Sequence, residues 1–155
     1  MENTKSGKKI LMRLTTKSRY GTRLILDIAL NSQDSPVRLR EISKRQNISL
    51  KYLEKLIRIL KRADIVKSVR GPYGGYLLAK PMEEITIGDI VRALEGSETI
   101  TDCTDRENIC GVCSRAGECL TQCIWMEASE AMFSKLDSFR VDKLIQNSGQ
   151  IIKNT

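Results

Sequence analysis

Five cysteines lie between Cys103 and Cys123, and none stands elsewhere in the 155-residue chain. Cys103, Cys110, Cys113, Cys119 and Cys123 are separated by mostly polar residues and glycines, with few large apolar side chains. Thiolates are soft ligands, and this density suits zinc, copper(I) or an iron–sulfur cluster. Cys110-Gly-Val-Cys113 has the spacing of a zinc knuckle, a weak signal by itself. Cys119 and Cys123 are one helical turn apart and could face one site from the start of a helix, where the dipole and free N–H groups favour thiolate over thiol. The chain has no histidine, so the ligands must be thiolates, carboxylates, backbone or small exogenous molecules. An iron–sulfur cluster is the first expectation, with a thiol redox switch and structural zinc as alternatives. The lack of histidine also removes the commonest general base, and no phosphate-binding or dinucleotide fingerprint is present. No enzyme is expected.

The elements that must position these cysteines begin in a chain long enough for one real core and a small second unit. The aromatic fraction is 5%, so that core must be mostly Leu, Ile and Val. The first residues are polar and basic, so no secretory signal is expected, and no stretch approaches the ~20 apolar residues of a membrane span. A soluble cytoplasmic protein without membrane association follows as an expectation. In that compartment clustered cysteines point to metal or redox chemistry more than to structural disulfides. The net charge of +7 is unevenly spread, with 19 Lys and Arg against 6 Asp and Glu in residues 1–80, and 7 against 13 in residues 81–155. A basic half joined to an acidic half suggests that one end binds a polyanion, although a merely solvated basic surface would look the same.

Residues 1–11 read as a disordered basic arm. A helix is predicted from Thr15 or Thr16, with Tyr20, Leu24, Ile28 and, on its flank, Ile25 as the apolar stripe, ending in the turn-rich 31–36 loop. A short helix follows over about Leu39–Gln46. After the tight turn Asn47-Ile48-Ser49, Ser49 is placed to cap a helix running to about Ala63. Leu53, Leu56, Ile57 and Leu60 form its buried face, while Lys51, Lys55, Arg58, Lys61 and Arg62 lie opposite. Two helices joined by a tight turn, the second one basic, have the form of a helix-turn-helix. Residues 65–70, the glycine-rich Gly71-Pro72-Tyr73-Gly74-Gly75 and residues 76–79 read as strand, turn and strand, a wing with Arg70 and Tyr73 at its tip.

Within this pattern Ser49, Lys51 and Tyr52 come within reach of base edges. Glu54 can accept from a cytosine amino group, and Lys55 and Arg58 meet phosphates. The plainer readings are a core role for Tyr52 and an intrahelical ion pair between Glu54 and Arg58. Beyond Pro81, Thr86-Ile87-Gly88-Asp89 opens a further helix with a capping box, and Gly96 closes it. A long final helix is predicted over about Leu120–Phe139, with Trp125, Met132, Leu136 and Phe139 at near-heptad spacing, a surface for pairing two copies. Ile145, Ile151 and Ile152 follow only a weak pattern.

The series Leu14-Thr15-Thr16-Lys17-Ser18-Arg19-Tyr20, residues 41–49, Tyr52-Leu53-Glu54 and Val69-Arg70-Gly71-Pro72-Tyr73-Gly74-Gly75-Tyr76 resembles the Rrf-two family of bacterial transcriptional regulators, in particular its iron–sulfur-sensing members, over about residues 12–145. The resemblance implies a winged helix-turn-helix dimerised through a long C-terminal helix. It also implies transcription control by a cluster, [2Fe-2S] in preference to [4Fe-4S]. The family's three cysteines map onto Cys103, Cys113 and Cys119. The interval from Cys103 to Cys113 is longer than in those members, so Cys110 competes for a ligand role. Gln122 stands where they place a histidine, which leaves Cys123 or Cys110 as fourth ligand and implies an altered redox potential. The resemblance further implies DNA-contacting roles for Ser49, Lys51, Tyr52, Glu54, Lys55 and Arg70. The lysines at 51 and 55 replace short polar residues there. Glu54 occupies the position that makes some members select one operator class only when the cluster is bound.

Taken together, the expected fold is mainly α with a small β-wing. The chain divides into a basic arm (1–11), a winged helix-turn-helix (12–80), a linking helix (81–95), a cysteine-rich cluster loop (96–119), a dimerisation helix region (120–146) and a flexible tail (147–155). The expected function is a homodimeric, cluster-sensing repressor on a near-palindromic double-stranded operator, responding to cluster status, redox, iron or nitric oxide. A cluster-free thiol-redox regulator is the alternative, and an iron–sulfur carrier without DNA binding the remote one.

Overall fold

The computed structural model describes residues 14–32, 35–101, 104, 115 and 118–151, with side chains as far as residue 147. Thr15 accepts from the Lys17 N–H and opens helix α1, Thr16–Asn31. Leu24, Ile25 and Ile28 on its inner face are wholly buried, so Ile25 belongs to the centre of the stripe rather than its flank. Helix α2 covers Leu39–Gln46 and ends at Asn47 in the left-handed conformation (φ 53°), which a short polar side chain tolerates better than most. The Ser43 hydroxyl donates to the Ile48 carbonyl across this turn at 2.6 Å. Helix α3, Leu50–Arg62, follows with Ser49 as its cap.

Strands β1 (Val66–Val69) and β2 (Gly75–Leu78) pair antiparallel, Val66 opposite Leu78 and Val69 opposite Gly75. Val37 adds a single bridge to Tyr76 on the free side of β2. A 3-10 turn at Met82–Glu84 leads to helix α4, Ile87–Glu95, where Thr86 and Asp89 form the expected capping box and Gly96 takes the left-handed closing position (φ 75°). Helix α5 runs Leu120–Asp137. It stops two residues short of Phe139, because the Phe139 carbonyl accepts from the Ile87 N–H and Thr86 bridges Arg140. A sixth helix, α6, then runs Val141–Ile151. It occupies the weakly patterned segment, and helical backbone continues to Ile151 where a tail was expected from 147. Val141 explains it: the residue is fully buried and its N–H donates to the Ile85 carbonyl, a partner no local pattern could reveal.

One apolar core joins these parts, α5 excepted. Leu24, Ile28, Ile42, Leu53, Leu56 and Leu60 from the first three helices share it with Ile85, Ile90, Leu94 and Val141. Helices α1 and α4 approach closely at Gly21, where a Cβ would fall 2.1 Å from Leu94 Cδ1. Polar locks then set the angle between α1 and α2. Asp27, 3% exposed, receives two N–H bonds from Arg45, at 3.1 Å from Nε and 2.6 Å from Nη2, and one from Gln46 Nε2 at 2.8 Å. The carboxylate raises the Arg45 guanidinium above its ordinary pKa, chiefly through these hydrogen bonds. Breaking a fully buried pair costs about 3–5 kcal/mol, and Arg45 retains partial access to water. Asp27→Ala is therefore expected to lower the unfolding free energy by about 2–3 kcal/mol, measured by urea denaturation; a loss below about 0.5 kcal/mol would show the lock to be energetically idle.

Candidate nucleic-acid interface and cysteine segment

The capped start of α3 is built by Ser49, whose hydroxyl oxygen accepts from the Tyr52 N–H at 3.3 Å, satisfying one of the donors a helix start leaves bare. Leu53, Leu56, Ile57 and Leu60 anchor the inner face at no more than 2% exposure. The outer face therefore points Lys51, Glu54, Lys55, Arg58, Lys61 and Arg62 to solvent. Lys51, Glu54, Lys55 and Arg58 form no side-chain hydrogen bond or ion pair within the described residues, so the Glu54–Arg58 pair, the plainer alternative for Glu54, is not made. Four charged groups without internal partners on one helix face suit external ones. Tyr52 is half-buried instead. Its ring meets Tyr20 edge-on, with centroids 5.9 Å apart at 88°, and burial, then the negative charge of Glu95, pushes its phenol above the ordinary range.

The wing is tied to both helices of the motif. Arg38, just before α2, donates to the Pro72 carbonyl at 2.6 Å, and Lys61 near the end of α3 donates to the Ser68 hydroxyl at 2.9 Å. Neither contact was foreseen from sequence, because each joins residues that only the folded hairpin brings together. Arg70 is exposed and Tyr73, at 84%, is the most exposed aromatic ring of the tip. Recognition helix and wing thus present basic side chains from one rigid frame, the arrangement that places a helix in a major groove and a wing against the neighbouring backbone.

Of the cysteines, Cys103, Cys110 and Cys113 lie outside the described residues, and among those described no three potential ligands stand together. Cys119 occupies the position just before α5, and Cys123 is exposed one turn later. Cys119 Sγ lies 3.1 Å from the Thr121 hydroxyl. That hydroxyl first, then the nearby N–H groups of Thr121 and Gln122 and the charge of Arg115, hold the thiol below its ordinary pKa against the opposing effect of burial. A thiolate so stabilised is the form that ligates metal, and in this respect the donor chemistry fits an iron–sulfur group.

Helix α5 buries only Ser129 and Phe133. Trp125 and Phe139 are exposed and Met132 and Leu136 half-buried. Leu120 and Ile124, 90% and 59% exposed, extend the same apolar surface. Sequence reasoning passed over them, although their spacing of four residues was the available signal. No described helix is long and apolar enough to cross a membrane.

The chain is 48% identical over 143 residues to Protein rrf2 of Nitratidesulfovibrio vulgaris, covering 92% of this chain and 93% of that one. It is 43% identical over 136 residues to the HTH-type transcriptional regulator IscR of Pectobacterium carotovorum, covering 88% and 80%. Among solved structures, T. potens IscR superposes with a TM-score of 0.71 at 33% identity, covering 88% of each chain. CymR, named as the global cysteine regulator of B. subtilis, gives 0.69 at 32% identity, covering 88% of this chain and 98% of that one. These relatives are winged-helix regulators and not enzymes, as expected. Residues 14–147 match the family described as Rrf2, iron-dependent transcriptional regulator, and the chain belongs to that family.

Proposed function

We propose that the protein is a cluster-sensing repressor that binds a near-palindromic operator as a homodimer in the bacterial cytoplasm. The observation that carries DNA binding is the outer face of α3, where Lys51, Lys55 and Arg58 have no internal partner among the described residues, together with the exposed Arg70 of a wing held in place by Arg38 and Lys61. Lys51, Lys55 and Arg58 grip phosphates or base edges, Ser49 retains its O–H as a donor, and Glu54 discriminates among bases. Arg70 and Tyr73 follow the flanking groove. The ring of Tyr52 orients the helix start through Tyr20. The apolar side chains Trp125, Met132 and Leu136 of α5 and Phe139 just beyond it, two exposed and two half-buried, support pairing of two chains, since apolar surface left open to water marks an association surface.

Cys103, Cys113 and Cys119 would hold the cluster, with Cys110 or Cys123 supplying the fourth ligand. A [2Fe-2S] group bound there supplies one-electron redox chemistry and a labile bond set. The chain's contribution is to favour the thiolate of Cys119 at the start of α5, so that cluster status acts on the placement of that helix. A coupling of about 2–3 kcal/mol gives about a 30–150-fold change in operator affinity. A second reading, thiol oxidation without a cluster, is favoured by the same lowered Cys119 pKa and by the likeness to Staphylococcus aureus CymR, solved in an oxidised form.

Anaerobic purification separates the two. A visible chromophore with matching iron and sulfide is expected, and Cys119→Ala is expected to abolish it. A colourless wild-type chain whose DNA affinity follows dithiol oxidation would establish the second reading. For the interface, Lys55→Ala is expected to reduce the salt dependence of operator binding by about one phosphate, a slope change of about 0.9 in log K against log salt. Arg70→Ala is expected to weaken binding about tenfold and relax preference in the flanking groove. Titrations by fluorescence anisotropy at fixed salt check both, and superimposable curves for the Arg70 variant would remove the wing from the interface.

A further inference from the structure

Arg92 holds both flanks of the cysteine segment at once. Its Nε lies 2.5 Å from Glu98 Oε1, five residues before Cys103 in the chain. Its two terminal nitrogens donate to the two oxygens of Asp137 at 2.6 Å each, at the far end of the helix that starts directly after Cys119. The guanidinium also stacks on Phe133, 4.8 Å from the ring centroid. Asp137 reaches this position because Gly88 has no side chain: a Cβ there would fall 1.8 Å from Asp137 Oδ1. The carboxylate thus sits against the first turn of α4, and the Thr86 hydroxyl lies 3.4 Å away. Arg92 first, and then Thr86, hold Asp137 below the usual carboxylate range against the opposing effect of burial. The upstream flank is fastened to α5 a second time, where the Ile100 N–H donates to the Ser129 hydroxyl at 3.0 Å.

Three residues beyond Arg92, Glu95 closes the start of α1. It accepts from the Ser18 hydroxyl at 2.5 Å, the Thr15 hydroxyl at 2.6 Å and the Thr15 N–H at 3.2 Å. Helix α1 in turn meets the first turn of α3 through Tyr20 and Tyr52. One short helix therefore carries the clamp on the cysteine segment and the cap of the helix that orients the DNA-reading face.

We propose that Arg92 is the positioning residue that couples the cysteine segment to the DNA-binding face, by converting a change in the spacing of Glu98 and Asp137 into a shift of α4 and of the α1 start that Glu95 caps. The proposal rests on the cluster-sensing reading above and adds the residue that transmits it. It requires a fork: a planar guanidinium can span two carboxylates from different segments at fixed geometry, whereas an ammonium cannot.

The test uses the full chain, loaded with cluster and stripped of it, in wild-type, Arg92→Lys, Arg92→Gln and Glu98→Gln forms. Glu98 is 65% exposed, so its variant keeps the fold even if the Arg92 variants lose stability. Iron, sulfide and the visible spectrum are expected to stay at wild-type values in all four. The ratio of operator affinities between loaded and stripped protein is expected to fall to within about threefold of one in both Arg92 variants, and by at least about threefold in Glu98→Gln. Hydrogen exchange supplies a readout independent of DNA. Loading is expected to change protection of residues 15–20 in the wild type and to leave them unchanged in Arg92→Gln. A wild-type affinity ratio in Glu98→Gln, rescue of the ratio by lysine, or an α1 response that survives in Arg92→Gln overturns the proposal. A wild-type chain that takes up no iron and sulfide, or whose ratio is already one, overturns the cluster reading itself, and the coupling role with it.

Discussion

Five elements of this protein share the surface of α1. Helices α2, α3, α4 and α6 and strand β2 all pack against it, and a sixteen-residue helix offers only a limited circumference. The buried side is therefore used almost to completion: Leu24, Ile25 and Ile28 fill the core, Gly21 admits Leu94, and Asp27 leaves the apolar surface to bind Arg45 and Gln46. Interiors this densely packed transmit displacement rather than absorb it. A helix shared in this way turns a local movement on its α4 side into a change of attitude on its α3 side.

The helix-turn-helix was legible in the residues because its signals are local. The repeat of Leu53, Leu56, Ile57 and Leu60 faces inward as its spacing requires, and Ser49 caps as its position before the apolar run implies. The glycine hairpin forms a wing in the expected place. What escaped notice depends on partners distant in the chain. Helix α6 follows from the burial of Val141 under Ile85, and the end of α5 from the pairing of Phe139 with Ile87. A short-range hydrophobic pattern contains neither partner.

The polar fastenings were hidden for the same reason. Asp27, Arg45, Arg92 and Asp137 look like ordinary surface charges in a chain rich in them. Only the fold sets Asp27 and Arg45 on facing helices, or brings Glu98 and Asp137 to the same guanidinium. The cysteines are the reverse case. Their types and spacing announce soft-ligand chemistry at once, yet the described geometry adds only Cys119, its thiol held below the ordinary pKa, and the exposed Cys123. Composition revealed what kind of chemistry belongs there, and packing revealed what that chemistry can move.

The common core has a bearing on modularity. Ile85, Ile90, Leu94 and Val141 lie among the same side chains as Leu24, Leu53 and Leu56, and Glu95 fastens the Thr15-capped start of α1 by accepting from Thr15 and Ser18. A fragment cut after residue 80 would bare the Gly21 groove and the floor beneath Leu60 to water. The DNA reader is thus not a detachable cassette. Grafting it onto a different sensor would require carrying α4 and α6 along, which binds the evolution of the two halves together.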